Sequence, residues 1–113
     1  MNPEIWGPKL WFFIHTVAIN YPNNPTSFDK QKYLQFFKSL EHVIPCDKCR
    51  QGYIDKLRLK PIENYMSCSK ELLGYTIDLH NLVNKSLGKK EISHEEAKDL
   101  IIKSYKGNLE TET

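Results

Sequence analysis

Apolar residues recur at intervals of three and four along most of the chain, which is the spacing of an amphipathic α-helix. The first such segment predicts a helix from about Pro3 to Asn20, with Asn2 as its N-cap and Pro3 suited to the first turn. A cluster of proline and asparagine at 21–25 separates it from the next segment. The apolar stripe of this helix is Leu10, Ile14, Val17 and Tyr21.

Two shorter helices are predicted next. The second has Ser27 or Asp29 as its N-cap and ends before Pro45. The third runs from Cys46 to about Leu59, and Pro61 closes it. The apolar face of the second helix consists of Tyr33, Phe36, Phe37, Leu40 and Val43.

The last part of the chain predicts two further helices. The fourth covers about 69–87 and ends at Gly88. The fifth opens with a capping box at 93–96 and continues towards Tyr105. The inner stripe of the fourth helix is Leu72, Thr76, Leu79, Val83 and Leu87. No segment alternates in the manner of a strand, so the sequence predicts an all-α bundle of about five helices. We expect one domain over 1–106 and a polar tail over 107–113.

The composition narrows the function classes. The chain has 113 residues, enough for one domain, and 40% of them are hydrophobic. Sixteen basic against fourteen acidic residues give a net charge of +2, which does not favour nucleic-acid binding. The longest nearly uncharged apolar stretch, Leu10 to Ile19, is far shorter than the roughly 18–20 residues of a membrane span. The N-terminus has no secretory pattern, so we expect a soluble, cytoplasmic protein without a membrane partner.

The cysteines carry the first chemical signal. Cys46 and Cys49 form a Cys-x-x-Cys pair, and Cys68 stands alone. A secreted disulfide scaffold has a denser, even set, whereas a close pair in an intracellular chain indicates redox chemistry or a metal. A thioredoxin-like site is excluded because its pair follows a strand, and this chain predicts none.

The residues alone leave three interpretations of the pair open. A helix N-terminus at Cys46, with Lys48 and Arg50 nearby, favours its thiolate and a redox disulfide. A zinc-stabilised interaction module is the alternative, and an inert structural pair is the third. The zinc ligands in that alternative are Cys46, Cys49, Cys68 and either His80 or His42.

Two polar clusters lie on separate helices. Trp11 and His15 are four residues apart and therefore share a helix face; taken alone, they indicate core packing. His80 and Asn84 share another face near Lys85 and Lys89. That face could hold an aromatic heterocycle and its phosphates, or it could be a solvated helix end.

Together with the cysteine pair, these clusters form an ordered pattern that resembles the Erv/ALR family of FAD-linked sulfhydryl oxidases. The resemblance covers roughly 6–105. The first helix is similar to the family's Gly-x-x-x-Trp-x-x-x-His-x-x-Ala segment, matched by Gly7, Trp11, His15, Ala18 and then Tyr21-Pro22. The fourth helix is similar to its His-Asn-x-Val-Asn-x-x-Leu-x-Lys segment, matched by His80, Asn81, Val83, Asn84, Leu87 and Lys89.

The resemblance implies a homodimeric thiol oxidase that packs through its first two helices and resembles the minimal versions of large cytoplasmic DNA viruses. It implies that Cys46 is attacked by a dithiol protein, itself carrying a Cys-x-x-Cys, and that Cys49 faces FAD. Electrons then pass to oxygen, giving hydrogen peroxide. The implied FAD-site residues are Trp11, His15, His80, Asn81, Asn84, Lys85 and Lys89, with Gly7 permitting close approach and Trp6, Lys9 and Val83 as weaker members.

Three positions depart from the family pattern. Ile44 stands where the family often has an aromatic residue, and Ile101 or Tyr105 stands in for a tryptophan of the last helix. Cys68 has no partner, because neither the family's shuttle pair nor its structural disulfide is present in this sequence.

Overall fold

Five α-helices and one short 3₁₀ helix make up this computed structural model, which describes residues 2–112 and their side chains as far as 104. Within those residues there is no strand, and the predicted all-α class is confirmed. The 3₁₀ helix was not predicted from the sequence. The elements are α1 (Pro3–Ile19), α2 (Ser27–Val43), α3 (Asp47–Leu59), the 3₁₀ helix (Ile62–Tyr65), α4 (Ser69–Ser86) and α5 (His94–Glu112).

Local capping accounts for where the first two helices begin. Asn2 caps α1 as predicted, since its Oδ1 accepts from the backbone N–H of Glu4 at 2.9 Å. The N-cap of α2 is Thr26, so the expectation of Ser27 or Asp29 was wrong by one and three residues. Thr26 and Asp29 form a reciprocal capping box, in which each side chain bonds the backbone N–H of the other.

The sequence predicted Gly88 at the end of α4 and a capping box at the start of α5, and the structure shows the first in full and the second in part. Gly88 ends α4 with a φ of +72°, a left-handed conformation that glycine adopts without strain. Ser93 Oγ accepts from the N–H of Glu96 at 3.2 Å, which is half of the predicted capping box. Helix α5 extends to Glu112, past its predicted end near Tyr105, and so includes residues 107–112 of the expected polar tail; Thr113 lies outside the described residues.

Helix α4 is the central element, with α1, α3 and α5 packed around it. The core around α4 also includes residues of α2. Four of its fully buried side chains are Ile14, Phe37, Leu72 and Leu79. The predicted inner stripe was wrong at its last position, because Leu87 is 57% exposed at the C-cap, where the chain already turns away.

Three buried tyrosines fasten the connections between helices. The hydroxyl of Tyr21 donates to the carbonyl of Met66 at 2.7 Å, and that of Tyr53 donates to Phe37 at 2.6 Å. Tyr75 donates to the carbonyl of Lys60 at 2.6 Å. Lys60 and Met66 are C-cap residues, so two of these bonds satisfy carbonyls that helix ends leave open. Burial raises the pKa of the Tyr53 and Tyr75 hydroxyls, so all three remain donors at neutral pH.

Candidate active site

The Cys-x-x-Cys pair occupies the turn between α2 and the first turn of α3. Cys46 is the N-cap of α3, with an extended backbone at φ −160°. Its Sγ accepts a hydrogen bond from the backbone N–H of Cys49 at 3.3 Å. Cys49 lies one turn into the helix and packs against the hydrophobic core. Both cysteines are half-buried free thiols.

This arrangement makes the two thiols electrostatically unequal. Hydrogen bonds from the Cys49 thiol and from its backbone N–H lower the pKa of Cys46. Burial raises the pKa of Cys49, and the hydrogen bond from its thiol to Cys46 raises this pKa further. The structure therefore favours a thiolate at Cys46 and a thiol at Cys49 when the pair is reduced.

The guanidinium of Arg50 bonds residues on both sides of Cys46 and so fixes the turn that carries this cysteine. Its Nη1 donates to the carbonyl of Ile44 at 2.8 Å, and its Nη2 pairs with the carboxylate of Asp47. Sequence reasoning gave Arg50 only an electrostatic influence on the thiolate. Here it bridges the C-cap of α2 and the first turn of α3, the residues that flank Cys46.

An aromatic cluster lies where α1 packs against α4. The rings of Trp11 and His80 stack with centroids 4.2 Å apart and an angle of 8° between planes. His15, only 6% exposed, lies behind them, with its Nε2 3.2 Å from Nδ1 of His80. The structure thus brings together three predicted site residues that are up to 69 positions apart in the sequence.

Both histidines are held neutral. Burial lowers the pKa of His15 to about 4, with a smaller contribution from His80. Burial also lowers the pKa of His80 to about 4, helped by the positive charge of Lys89. The cluster therefore offers neutral imidazole nitrogens at physiological pH.

The remaining predicted residues of α4 are of two kinds: the two asparagines bond the backbone of the following segment, and the two lysines are exposed at the end of the helix. Asn81 donates through Nδ2 to the carbonyl of Ile92 at 2.7 Å and accepts from its N–H at 3.0 Å, which fixes the α4–α5 connection. The carbonyl of Asn84 accepts from the N–H of Lys89 at 2.7 Å in the terminal turn. Lys85 and Lys89 are both solvent-exposed at this end.

The weaker predicted members lie around the same two helices. Trp6 packs against the core from the first turns of α1, and Val83 is half-buried on α4. Lys9 is exposed. A Cβ added at Gly7 would meet no atom within 4 Å, so the surface of α1 is open at that point.

The zinc alternative finds no support in the geometry. Over the described residues, no three His, Cys, Asp or Glu side chains come together in a group that could hold a metal ion. Cys68 is the N-cap of α4, while Cys46 is the N-cap of α3 and Cys49 lies in the first turn of α3. In the same part of the chain, no helix has the length and hydropathy needed to cross a membrane.

Comparison with known proteins now decides the family. The model of the Erv1 / Alr family matches residues 8–103. The chain belongs to this family. It is 46% identical over 105 residues to a probable FAD-linked sulfhydryl oxidase of Acanthamoeba polyphaga mimivirus, covering 92% of this chain and 73% of that protein. It is 31% identical to the FAD-linked sulfhydryl oxidase of an African swine fever virus isolate, covering 93% and 87%.

Solved structures of the family share the fold. The core of yeast Erv1 matches with a TM-score of 0.77 at 29% identity, covering 82% of this chain and 77% of that chain. The FAD-binding domain of Erv1 from Saccharomyces cerevisiae matches with the same score at 30% identity, covering 82% and 87%. The resemblance found in the sequence motifs is therefore confirmed over most of the chain.

The positions that depart from the family pattern are filled with aliphatic side chains. Ile44 is 5% exposed and Ile101 is 9% exposed. Ile101 borders a cleft of about 230 Å³ between α1 and α5, whose other lining residues are Thr16, Ile19, Asn20 and Ile102. The side chain of Tyr105 lies outside the described residues.

Proposed function

We propose that this Erv1/Alr member is an FAD-dependent sulfhydryl oxidase that makes disulfides in a dithiol protein. The observation that carries the proposal is the Cys-x-x-Cys turn, with a thiolate-stabilising N-cap at Cys46 and a core-facing Cys49. The names of the viral relatives, as FAD-linked sulfhydryl oxidases, support the same activity.

The residues where α1 packs against α4 suit FAD. Trp11 and His80 provide half-buried aromatic surface for its rings, and Lys85 and Lys89 provide exposed ammonium groups for its pyrophosphate. The open surface at Gly7 admits close approach of a ligand to the backbone of α1. These residues, with His15 and Asn84, are the ones we assign to the cofactor; Trp6, Lys9 and Val83 border them. Asn81 supports the site by fixing the following loop.

The protein's part in turnover is thiol–disulfide exchange at Cys46. A substrate thiolate attacks Sγ of Cys46 in the oxidised pair, forms a mixed disulfide and releases Cys49 as the leaving thiolate. The second substrate thiolate attacks the substrate sulfur of that bond and displaces Cys46. The low pKa of Cys46 makes it the better leaving group in this step.

The electron pair then rests on the Cys46–Cys49 dithiol. FAD, when bound, supplies the two-electron acceptor that reoxidises this dithiol and transfers the pair to oxygen, with hydrogen peroxide as product. Cys49, which lies on the core side of the pair, is the cysteine we assign to the cofactor side.

The decisive experiment measures oxygen uptake with dithiothreitol and records the visible spectrum of the same sample. We expect about one flavin per chain and dithiol-dependent uptake, by analogy with flavin-linked redox catalysis. Cys49→Ser should keep the flavin and lose turnover, while Cys68→Ser, the matched control, should keep both. Failure of the protein to bind added FAD, or full activity of the Cys49→Ser variant, would overturn the proposal.

We also propose that the enzyme is a homodimer joined through α1 and α2, and that it acts in the cytoplasm on a partner with its own Cys-x-x-Cys. Both helices expose large apolar side chains: Ile5, Phe13, Phe28 and Val43 are 53–64% exposed.

The small number of cysteines in the sequence supports the proposed location in a reducing compartment. Labelling of the protein in cells with a compartment marker tests the location.

A further inference from the structure

Three short contacts form a line from the backbone of α4 to the ring of His80. The hydroxyl of Thr76 lies 2.8 Å from the carbonyl oxygen of Leu73. The same Oγ1 lies 3.0 Å from Nδ1 of His15, whose Nε2 lies 3.2 Å from Nδ1 of His80. Thr76 is fully buried and His15 nearly so, which shields the polar atoms of both side chains from water, whereas His80 is half-buried.

Only one assignment of donors and acceptors makes all three contacts hydrogen bonds. The carbonyl of Leu73 is an acceptor, so the single hydroxyl proton of Thr76 must point at it. Thr76 Oγ1 can then only accept, which requires a proton on Nδ1 of His15. A neutral His15 with that proton has a bare Nε2, and this nitrogen must accept from a proton on Nδ1 of His80.

The opposite direction leaves one contact without a proton. If Thr76 donated to His15 instead, its oxygen and the carbonyl oxygen of Leu73 would be two acceptors 2.8 Å apart. A doubly protonated ring would also disturb the order, but burial holds the pKa of both histidines near 4.

We propose that Thr76 is a positioning residue that sets the tautomers of His15 and His80, so that His80 presents Nε2 as a hydrogen-bond acceptor. Both imidazoles carry their proton on Nδ1. The chemistry that this edge recognises is an N–H or O–H donor of the bound ligand. The ring that carries the acceptor is held flat against Trp11, which fixes its direction. The statement about the ligand rests on the proposed function, in which that ligand is FAD.

The first test is a two-bond nitrogen–proton correlation spectrum of the full-length protein with labelled histidine. We expect His15 and His80 to show a protonated Nδ1 and an unprotonated Nε2 at pH 7. A proton on Nε2 of either ring would overturn the proposal. Because the spectrum reports tautomers directly, it gives this answer whether or not the sample holds FAD.

The second test uses a matched pair of variants. Thr76→Val keeps the shape of the side chain but removes the acceptor for His15, so we expect both rings to move their proton to Nε2. Thr76→Ser keeps the hydroxyl and should keep both tautomers. Unchanged tautomers in a folded Thr76→Val protein would contradict the role of Thr76, and the wild-type spectrum decides the matter if that variant does not fold.

The cofactor consequence is measured by titration of each flavin-stripped protein with FAD. We expect about tenfold weaker binding in Thr76→Val and near wild-type binding in Thr76→Ser, the loss of roughly one net hydrogen bond. Equal affinity of the two variants, despite the switched tautomers, would overturn the acceptor role of His80. A wild-type protein that binds no FAD would instead refute the proposed function.

Discussion

Sγ of Cys46 lies 3.3 Å from the backbone nitrogen of Cys49 and accepts its hydrogen bond, which makes two cysteines of one turn chemically different. The bond stabilises negative charge on Cys46, whereas Cys49 is displaced from solvent against the core. The difference supports the proposed exchange at Cys46, because the thiolate of lower pKa is the better leaving group when the second substrate thiolate resolves the mixed disulfide.

The first prediction concerns alkylation of the reduced protein. We expect iodoacetamide to modify Cys46 about tenfold faster than Cys49 at pH 7, because the thiolate is the reactive form and Cys46 holds more of it. Peptide mass analysis of samples quenched over time measures both rates. The Cys68→Ser variant is the background of choice, since it removes the third thiol. Equal rates, or faster loss of Cys49, would contradict the assignment.

The sequence predicted this inequality only in part. The start of α3 could be predicted to within one residue, at Cys46, from Pro45 and the polar residues that follow, because helix starts have local signatures. The core contact of Cys49 depends on where α3 packs, which no local pattern contains. The role of Arg50 in bridging Ile44 and Asp47 was missed for the same reason.

A second prediction follows from that bridge. Arg50→Ala should lower kcat/KM for dithiothreitol about tenfold while leaving the flavin content unchanged, because the turn that carries Cys46 loses its fixed geometry. Arg50→Lys should recover only part of this, since one ammonium cannot reproduce the fork of a guanidinium. Oxygen-uptake kinetics and visible spectra provide both readouts.

The control for this experiment is Arg58→Ala, an exposed arginine on the same helix. It removes the same charge without touching the cysteine turn. If both variants lost activity equally, net charge would explain the effect and the bridge would not.

Contacts within one helix, such as those of α1, could be predicted from the sequence, whereas contacts between α1 and α4 could be predicted only in part. Spacing alone placed Trp11 and His15 on one face, and the family pattern linked them to His80. In the structure Trp11 stacks on both histidine rings, which are tilted relative to each other. The family pattern assigned Asn81 to the cofactor, and its two side-chain bonds to the backbone of Ile92 could not be predicted from that pattern. Thr76 was counted only as part of an inner stripe, because its bond to His15 spans 61 positions.

A third prediction tests the structural role of Asn81. Asn81→Ala removes both side-chain bonds to the backbone of Ile92 and should destabilise the fold by about 2 kcal/mol. We expect the melting temperature to fall by about 10 °C. Asn81→Asp keeps the acceptor for the Ile92 N–H and should fall in between. Asn64→Ala, at an exposed asparagine, is the control, and an equal fall there would refute the role.

A fourth prediction concerns assembly. Phe13 is 53% exposed on α1, and its ring makes an edge contact with Phe36 of α2 at 5.8 Å between centroids. If these helices form the dimer interface, Phe13→Glu places a charge in it and should convert a dimer to a monomer in sedimentation velocity. The matched control is Leu100→Glu on α5, at 57% exposure. A dimer that persists in Phe13→Glu but dissociates in Leu100→Glu would place the interface on α5 instead.

The last prediction is the pH dependence of stability that the buried histidines impose. The pKa of His15 is about 4 in the folded chain and about 6.5 when unfolded. Between these values the unfolded state binds more protons, so stability is complete above pH 6.5 and falls as the pH drops towards 4. For His15 this loss is about 3 kcal/mol at the acid end. His80 adds a smaller loss in the same direction, because its ring is only half-buried and partly screened by solvent.

Urea unfolding at pH 7 and at pH 4.5, without added flavin, measures this loss. The exposed His42 supplies the control, since His42→Gln changes the number of histidines without touching the pair, and its loss between the two pH values should equal that of wild type. Unfolding free energies that stay level from pH 7 to 4.5 would mean that the rings protonate without opening the cluster. That result would mean that burial does not hold the two imidazoles neutral at pH 4.5.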